Sequence, residues 1–321
     1  MFAENQRLGA TAALLLLTAS LPALAGSRIE REFELRPGGE LIVDTDNGSV
    51  QVEGVSGSKA TVLITSRSDD MESRYDFQFS SDPGRLEIDV ERKGKLRKMF
   101  DWGRGGNLKF VIRVPTDTAV NLDTAGGSIK AYDLGQEAIL DTSGGSITAE
   151  RIRGDLLADT SGGSIVAEDI DGDVEADTSG GSISIHGVRG DVSADTSGGS
   201  IKISDVTGEV SADTSGGSII IDGVGGHVSA DTSGGSIEVT FLAGNSSGGE
   251  LATSGGGILV YIDPEVNLEV DAVASGGSVE FNIPITVQGR ISKSTVRGKI
   301  GSGGAMLRLR ASGGKIRINP R

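Results

Sequence analysis

The heptapeptide DTSGGSI occupies residues 141–147 and returns at residues 159, 177, 195, 213 and 231. A near copy, DTAGGSI, starts at residue 123, so seven copies follow one another at a constant interval of 18 residues. A fixed period of this kind indicates a repeat protein, in which each unit stacks on its neighbours. The conformation of one 18-residue unit therefore decides the fold of the chain.

Apolar residues fall at fixed places in a unit that is numbered from its aspartate. Position 7 is isoleucine in all seven units, positions 9 and 12 are aliphatic, and position 18 is alanine in five units. Residues two apart lie on one face of a strand, and the glycines at positions 4 and 5 separate the strands. We predict an all-β fold, a right-handed, single-stranded parallel β-helix, or β-solenoid, with 18-residue coils.

The interior of such a coil has room for one layer of small aliphatic side chains. Residues 141–240 contain no aromatic residue, in agreement with this prediction. The alternation from alanine at position 18 points the threonine at position 2 inward and the aspartate at position 1 outward.

The two ends of the chain vary the same template. DTDNGSV at residues 44–50 matches positions 1 to 7, so a first coil is expected there, followed by an insertion of about 61 residues before Asp123. The insertion alternates as β-hairpins do, and we expect it to form a sheet that caps the open end of the solenoid. Related motifs recur at residues 252, 273, 301 and 311, with longer loops between coils.

The chain therefore divides into four predicted parts. They are a signal peptide (1–25), an N-terminal β region with the first coil and hairpin insertion (26–122), the regular 18-residue coils (123–250), and irregular coils with a basic C-terminal end (251–321).

An apolar run at residues 8–25 follows Arg7 and ends in Ala23-Leu24-Ala25, the small-x-small form that a signal peptidase cuts. We expect export to the periplasm, the cell surface or the extracellular space, with no transmembrane anchor after cleavage. The sequence has no cysteine, so it can carry neither a lipid on an N-terminal cysteine nor a disulfide.

The net charge of −15 is unevenly distributed. Residues 123–250 hold 22 acids and five bases, whereas residues 289–321 hold nine bases and no acid. An acidic body repels phosphate, so a nucleic-acid partner is disfavoured and cations or cationic surfaces are favoured.

Three stretches together resemble a known family. They are PGGELIVDTDNGSVQVEGV at residues 37–55, the basic aromatic loop before NLKFVIRVP at residues 107–115, and the DTSGGSI coils that follow. This combination resembles the bacterial "putative adhesin" family of exported β-strand-repeat proteins, whose domain has no known function. The resemblance implies an exported β-solenoid with an adhesin-like role, no established catalytic residues and no cofactor.

Stacked coils would place the position-1 aspartates in one column, and two interpretations of that column stay open. In the first, each aspartate accepts backbone N–H groups of its own Gly-Gly corner and caps the turn. In the second, neighbouring carboxylates bridge Ca²⁺, with hydroxyl or carbonyl oxygens completing the shell. The candidate calcium ligands are Asp141, Asp159, Asp177, Asp195, Asp213 and Asp231.

Features typical of an enzyme are weak. His186 and His227 occupy different positions of the unit, and G-x-S-x-G at residues 244–248 has no strand-to-helix turn around it. A polysaccharide lyase would need bases along one groove, and the regular coils offer only Lys130, Arg151, Arg153, Arg189 and Lys202. We predict that the protein is not an enzyme.

Residues 92–106, RKGKLRKMFDWGRGG, break every pattern and contain the only tryptophan. Met99, Phe100 and Trp102 either plug the end of the solenoid or form a contact site for an envelope glycan, lipid headgroup or partner.

The sequence thus predicts a non-catalytic, adhesin-like binding or structural rod of the cell envelope. Its partner would be an envelope glycan, a protein surface or another copy of the chain. The alternatives are a self-assembling envelope scaffold, and a polysaccharide-binding or polysaccharide-cleaving β-helix with calcium.

Overall fold

The computed structural model describes residues 26–94, 108–287 and 292–321. Within these ranges the chain forms two large sheets, of 14 and 15 strands, and a single helical turn, α1 (Met71–Arg74). The all-β solenoid predicted from the repeats is confirmed. The hand of the coil stays a prediction.

The strands are given in chain order. Those before the regular coils are β1 (Arg28–Glu34), β2 (Gly39–Thr45), β3 (Ser49–Val55), β4 (Lys59–Ser66), β5 (Tyr75–Asp82), β6 (Arg85–Arg92), β7 (Leu108–Pro115) and β8 (Thr118–Thr124). The regular coils contain β9 (Ile129–Tyr132), β10 (Ala138–Thr142), β11 (Ile147–Ile152), β12 (Leu156–Thr160), β13 (Ile165–Ile170), β14 (Val174–Thr178), β15 (Ile183–Val188), β16 (Val192–Thr196), β17 (Ile201–Val206), β18 (Val210–Thr214), β19 (Ile219–Val224) and β20 (Val228–Thr232). The last group is β21 (Ile237–Phe241), β22 (Gly249–Thr253), β23 (Ile258–Ile262), β24 (Leu268–Ala274), β25 (Val279–Phe281), β26 (Thr286–Val287), β27 (Thr295–Ile300), β28 (Ala305–Ala311) and β29 (Ile316–Pro320).

Each regular coil contributes one strand to each sheet. The odd-numbered strands β9 to β21 form part of sheet A, and the even-numbered strands β8 to β22 form part of sheet B. All these neighbours are parallel. From β8 to β21 each paired residue lies opposite its equivalent 18 positions later, as Ile147 does with Ile165, and the interval grows to 21 between β20 and β22. Copies of the repeat therefore lie directly over one another, one strand per sheet in each rung.

The core is a single layer of aliphatic side chains between the two sheets. In one coil Ile165, Ala167, Ile170 and Val174 are all almost fully buried. Thr178, at position 2 of the next unit, is buried as well, which confirms the inward orientation expected for that column. Burial of identical residues in every rung gives each coil the same hydrophobic stabilisation from its two neighbours.

The first coil is β2–β3, and Asp44 pairs in parallel with Asp123 as the template predicts. The insertion that follows lies at this end of the solenoid, as expected of a cap, but its strands join the two sheets of the coils. Strands β6 and β7 add a further parallel rung on the outer side of β2 and β3. Leu86 and Ile88 in this rung are fully buried, so the insertion shares the solenoid core rather than building its own.

Antiparallel strands complete the N-terminal end. Strand β5 pairs with β6 in sheet B, while β4 and β1 extend sheet A. Phe33 of β1 and Phe79 of β5 stack with ring centroids 5.7 Å apart, and the guanidinium of Arg31 lies 4.3 Å from the Phe79 ring centre. Aromatic side chains from the two edge strands thus close this end.

The C-terminal end is also out of chain order. The last two strands, β28 and β29, lie between β22–β23 on one side and β24–β25 on the other. The glycines of the motif at 311 stack on those at 255 and 256 as a true corner. The GSGG motif at 301–304 is instead a connection from β27 to β28, so its interpretation as a coil corner is wrong.

One buried hydroxyl in the core is unsatisfied, and this leads to a stability prediction. Thr118 is fully buried, and its Oγ1 atom has no hydrogen-bond partner among the described residues. Thr118→Val removes a desolvated hydroxyl at nearly constant shape, so we expect the free energy of unfolding to rise by about 1 kcal/mol. Denaturant unfolding measures this change.

Thr124→Val is the matched control for that experiment. The Thr124 hydroxyl donates to the carbonyl of Gly48 at 2.9 Å, so its loss should lower stability. Equal effects of the two substitutions would contradict the prediction.

Candidate functional site

The outward face of sheet B carries one aspartate in each of nine consecutive rungs. The pairing register aligns Asp89 with Asp44, Asp44 with Asp123, and then every position-1 aspartate to Asp231. We call this row the carboxylate ladder. In stacking order its members are Asp89, Asp44, Asp123, Asp141, Asp159, Asp177, Asp195, Asp213 and Asp231.

The strand pattern fixes the direction of these side chains. In β16, Val192, Ala194 and Thr196 point into the core, so Asp195 between them points outward. Adjacent strands are about 4.8 Å apart, and two carboxylates at that distance repel by about 0.9 kcal/mol in a water-like dielectric. The fold therefore holds a line of like charges that the core and backbone pairing must offset.

Partial burial and the charges of neighbouring acids disfavour ionisation of six ladder aspartates. The pKa is raised above the ordinary 3.8 for Asp89, Asp123, Asp141, Asp177, Asp195 and Asp213. Loss of hydration on burial is the largest cause in each case, and the charges of neighbouring acids add to it.

The ladder has no basic partner among the residues that the structure describes. None of the nine carboxylates forms an ion pair with a base anywhere in the described parts of the chain. Beside it runs the serine column of position 3, and between Asp159 and Ser233 the two columns line an open groove of about 430 Å³. The groove presents a carboxylate and a hydroxyl at every rung.

The turn-cap interpretation of these aspartates is wrong. The corner is fixed by the buried threonine at position 2: the Thr160 hydroxyl donates to the carbonyl of Gly145 in the preceding coil at 2.7 Å and accepts the Gly163 N–H at 3.2 Å. The Gly163 N–H faces the inward Thr160, whereas the outward Asp159 accepts no N–H group of its corner within the described residues.

A second acid column does cap backbone, and the sequence reasoning missed it. Oδ1 of Asp155 accepts the N–H of Asp173 at 2.9 Å, and Oδ1 of Asp173 accepts the N–H of Asp191 at 2.8 Å. These position-15 acids follow the second glycine-containing turn, and that location was the available signal. The ladder aspartates, in contrast, accept no hydrogen bond from a backbone N–H group within the described residues.

Calcium binding by Asp141, Asp159, Asp177, Asp195, Asp213 and Asp231 stays a prediction. Calcium takes six to eight oxygens, whereas each rung offers one carboxylate, and the described residues include no group of three or more acids or histidines arranged to hold a metal ion. If the ladder binds Ca²⁺, millimolar calcium should raise the melting temperature, and more so than equal ionic strength of NaCl. An unchanged melting temperature contradicts it.

The raised pKa values predict an unusual pH dependence. A folded pKa above the unfolded one means that the folded state binds protons more tightly, so the ladder costs stability at pH 7 and the cost falls as pH drops toward 3.8. We therefore expect the melting temperature to rise as pH falls from 7 toward the ordinary aspartate pKa of 3.8.

Acids whose pKa is lowered in the folded state limit that rise in melting temperature, because their stabilising effect is lost at low pH. The hydrogen bond from Arg151 lowers the pKa of Asp133, which therefore loses its stabilisation only as pH falls below its ordinary 3.8. Thermal melts of a variant with Asp177, Asp195 and Asp213 changed to Asn should lose a large part of the rise, because the pKa of each of these aspartates is raised. A melting temperature that falls steadily from pH 7 would contradict the prediction.

The residues examined for catalysis do not form a catalytic arrangement. Nδ1 of His186 lies 3.0 Å from the Ser204 hydroxyl and 3.2 Å from Asp205, so one ring nitrogen faces both groups, whereas a Ser-His-Asp relay uses opposite nitrogens. In the G-x-S-x-G stretch, Asn245 is buried and donates to the carbonyls of Val224 and Gly226. Ser246 is exposed in the loop between β21 and β22.

The bases proposed for a lyase groove are partly committed to ion pairs. Arg151 binds Asp133 through two nitrogens, at 2.6 and 3.1 Å, and Glu150 at 3.0 Å. Arg189 lies 3.5 Å from Asp171. Lys130 and Lys202 project from sheet A, on a different face from the corner that carries Arg153.

The basic C-terminal end pairs with acids of neighbouring strands. Asp271 contacts both Arg297 and Arg310, at 3.3 and 2.9 Å, and Glu280 contacts Lys315 and Arg317. The Lys315 hydrogen bond is the main cause of the lowered pKa of Glu280. An assembly that docks these bases onto the acidic middle of another copy would have to break such pairs.

Two expectations fall outside the described residues: the contact residues Met99, Phe100 and Trp102, and the signal peptide at 1–25. Among the residues that the structure describes, no helix is long and apolar enough to cross a membrane.

Comparisons with known proteins bear on the family and the fold. The family model described as "Toastrack DUF4097" matches residues 43–319. No curated protein matches the chain. A solved putative adhesin from Bacteroides fragilis is 12% identical, with 91% of this chain and 97% of that chain covered and a TM-score of 0.43.

Two further solved structures are similar over most of the chain. A putative adhesin from Parabacteroides distasonis is 12% identical, covering 92% of this chain and 98% of that chain, with a TM-score of 0.32. A protein from the same organism, titled as a putative lipid binding protein, is 12% identical, covering 90% and 96%, with a TM-score of 0.34. With scores this low, the likenesses carry no argument about function.

Proposed function

This chain belongs to the Toastrack DUF4097 family, and from that premise we propose that it is a non-catalytic, adhesin-like binding rod of the cell envelope that holds a cationic partner along its carboxylate ladder. Export to the periplasm or the cell surface is part of the proposal. The partner would be an envelope glycan or protein that presents amines or guanidinium groups.

The observation that carries the proposal is the nine-rung ladder without a basic partner in the described residues. Some acids elsewhere on the rod are paired, as Asp133 is with Arg151 and Glu280 with Lys315, or cap backbone as Asp155 does. Others, such as Glu168, have no basic partner among the described residues but do not recur in every rung, since His186 follows Glu168 in the stack. The ladder is the acid row that continues through nine rungs, and the raised pKa values within it predict that its charge costs stability at neutral pH. A row of unneutralised charge that the fold does not need is typical of a binding surface.

The shape of the rod supports the same function. Each strand in the regular coils pairs on both sides, so the ladder is held straight at a fixed interval. A partner with repeated positive groups would contact many rungs at once, and such multivalent contact strengthens weak individual ion pairs. Binding should therefore be strong at low salt and fall steeply as salt rises.

The test uses immobilised poly-L-lysine as the cationic probe and the chain from residue 26. Asp159, Asp195 and Asp231 are changed to Asn in the ladder variant. The matched control changes three outward-facing sheet A acids that make no ion pair with a described base, as Glu168→Gln, Asp222→Asn and Glu238→Gln, so that net charge is equal. Glu168 and Asp222 are exposed and Glu238 is half-buried.

We expect the ladder variant to bind about tenfold or more weakly, and the control to lose no more than about threefold. Equal losses would show that net charge alone drives binding and would overturn the proposal. Melting temperatures of both variants establish that each is folded.

A further inference from the structure

The C-terminal rung, β28 with β29, follows both of its neighbouring strand pairs in the chain and yet lies between them in the two sheets. Its strand pairings are to β22 and β23 on one side and to β24 and β25 on the other. We call the space between these four strands the acceptor slot. We infer that the slot also accepts the C-terminal rung of a second copy, so that two copies complete each other by exchanging rungs.

The order of the strands creates the opportunity for exchange. Strands β22 to β27 precede the rung in the chain, so during folding either β22 and β23 expose unpaired edges or an empty slot waits between the two strand pairs. An exposed strand edge pairs with whichever matching strand reaches it first. During folding, the C-terminal rung of a neighbouring molecule therefore competes with the molecule's own rung for the acceptor slot.

The connection to the rung is short and glycine-rich. Residues 301–304 carry the chain from β27 around the end of β24 to β28, and Gly301 and Gly303 have φ angles of +60° and +79°. Ser302 is the anchor of this segment, through its N–H and hydroxyl to Asn267 Oδ1 at 2.8 and 3.1 Å. Opening this hinge breaks few contacts, and an exchanged rung regains all of its own.

Charge makes the rung and slot specific for each other. Arg308 and Arg310 of the rung face Glu250 of β22 and Asp271 of β24. Lys315 and Arg317 both contact Glu280 of β25. In the regular coils identical residues stack on identical residues, so a rung could slip by one coil, whereas these opposite charges define a single register.

The test uses complementary charge reversals in the full chain. The rung variant carries Arg308→Glu, Lys315→Glu and Arg317→Glu, and the slot variant carries Glu250→Lys and Glu280→Lys. Each variant repels its own rung, but the rung of each fits the slot of the other. The control combines all five substitutions in one chain, which restores opposite charges within the molecule.

The variants are unfolded, refolded separately or together, and sized by light scattering. We expect a 1:1 mixed dimer in about tenfold excess over the dimers that either variant forms alone, and a monomeric control with near wild-type melting. The wild-type chain should form dimers when refolded at high concentration.

Mixed refolding that yields no dimer, while the control folds as a monomer, would overturn the inference. A variant that fails to fold alone is informative as well, because its rescue in the mixture supports exchange and its failure there contradicts it. Poly-L-lysine binding does not involve the rung, so this outcome and that of the proposed function are separate.

Discussion

Gly181→Ala is expected to lower the free energy of unfolding by more than about 3 kcal/mol, whereas Gly180→Ala next to it should change it by less than about 1 kcal/mol. A Cβ atom on Gly181 would lie 1.8 Å from the carbonyl oxygen of Gly163 in the preceding coil. On Gly180 the nearest atoms, two carbonyl oxygens, would be 3.6 Å away, which is ordinary contact.

The cause is the close approach of two backbones, because neither glycine has a positive φ. Alanine at position 181 would have to separate two rungs that are held together by a strand pairing on each side. Gly180→Ala meets no obstacle and reduces the freedom of the unfolded chain, so it can even stabilise slightly.

Urea unfolding followed by circular dichroism compares the two variants. Because rungs interact only with their neighbours, hydrogen exchange of the amides in β15 and β13 shows whether the damage is local. Equal effects of the two substitutions would contradict this account of the second glycine in the motif.

The sequence repeat was sufficient to predict the regular coils because residue identity and strand alternation indicate the same inward and outward positions there. Position 7 is always isoleucine, position 2 always threonine, and the strand alternation gives each an inward direction. A one-residue slip would turn the whole hydrophobic column outward, so only one register survives. The aspartate column was predicted for the same reason.

The ends were harder to predict because motifs identify a rung but not its neighbour. Asp89 joins the ladder through LEIDV at residues 86–90, which matches LIVDT at residues 41–45, yet no Gly-Gly corner follows it. The local sequence contains no signal that β6 and β7 would stack on the outer side of the first coil. The choice between neighbouring strands is made by competition among tertiary contacts.

The sequence left the role of the aspartate open because two oxygen-bearing residues precede each corner. Both Asp159 and Thr160 have the chemistry to bond the Gly163 N–H. The direction of the side chain decides between them, since the Gly163 N–H bonds the inward threonine. The corner therefore depends on the threonine hydroxyl rather than on the aspartate carboxylate.

Thr196→Val is therefore expected to lower the free energy of unfolding by about 3 kcal/mol. The Thr196 hydroxyl donates to the Gly181 carbonyl at 2.9 Å and accepts the Gly199 N–H at 3.3 Å, so it links two coils and closes its own corner. Valine fills the same volume but leaves a buried carbonyl and N–H without partners.

Thr196→Ser is the matched control, because serine keeps the hydroxyl and loses only a methyl group that is worth about 1 kcal/mol. The neighbouring Asp195→Asn should leave stability unchanged or slightly raised at pH 7, since it removes a repelling charge from the ladder. Thermal and urea unfolding of the three variants rank these effects. If Thr196→Val and Thr196→Ser lower stability equally, the corner does not depend on the threonine hydroxyl. The aspartate would then again be the candidate for capping the turn.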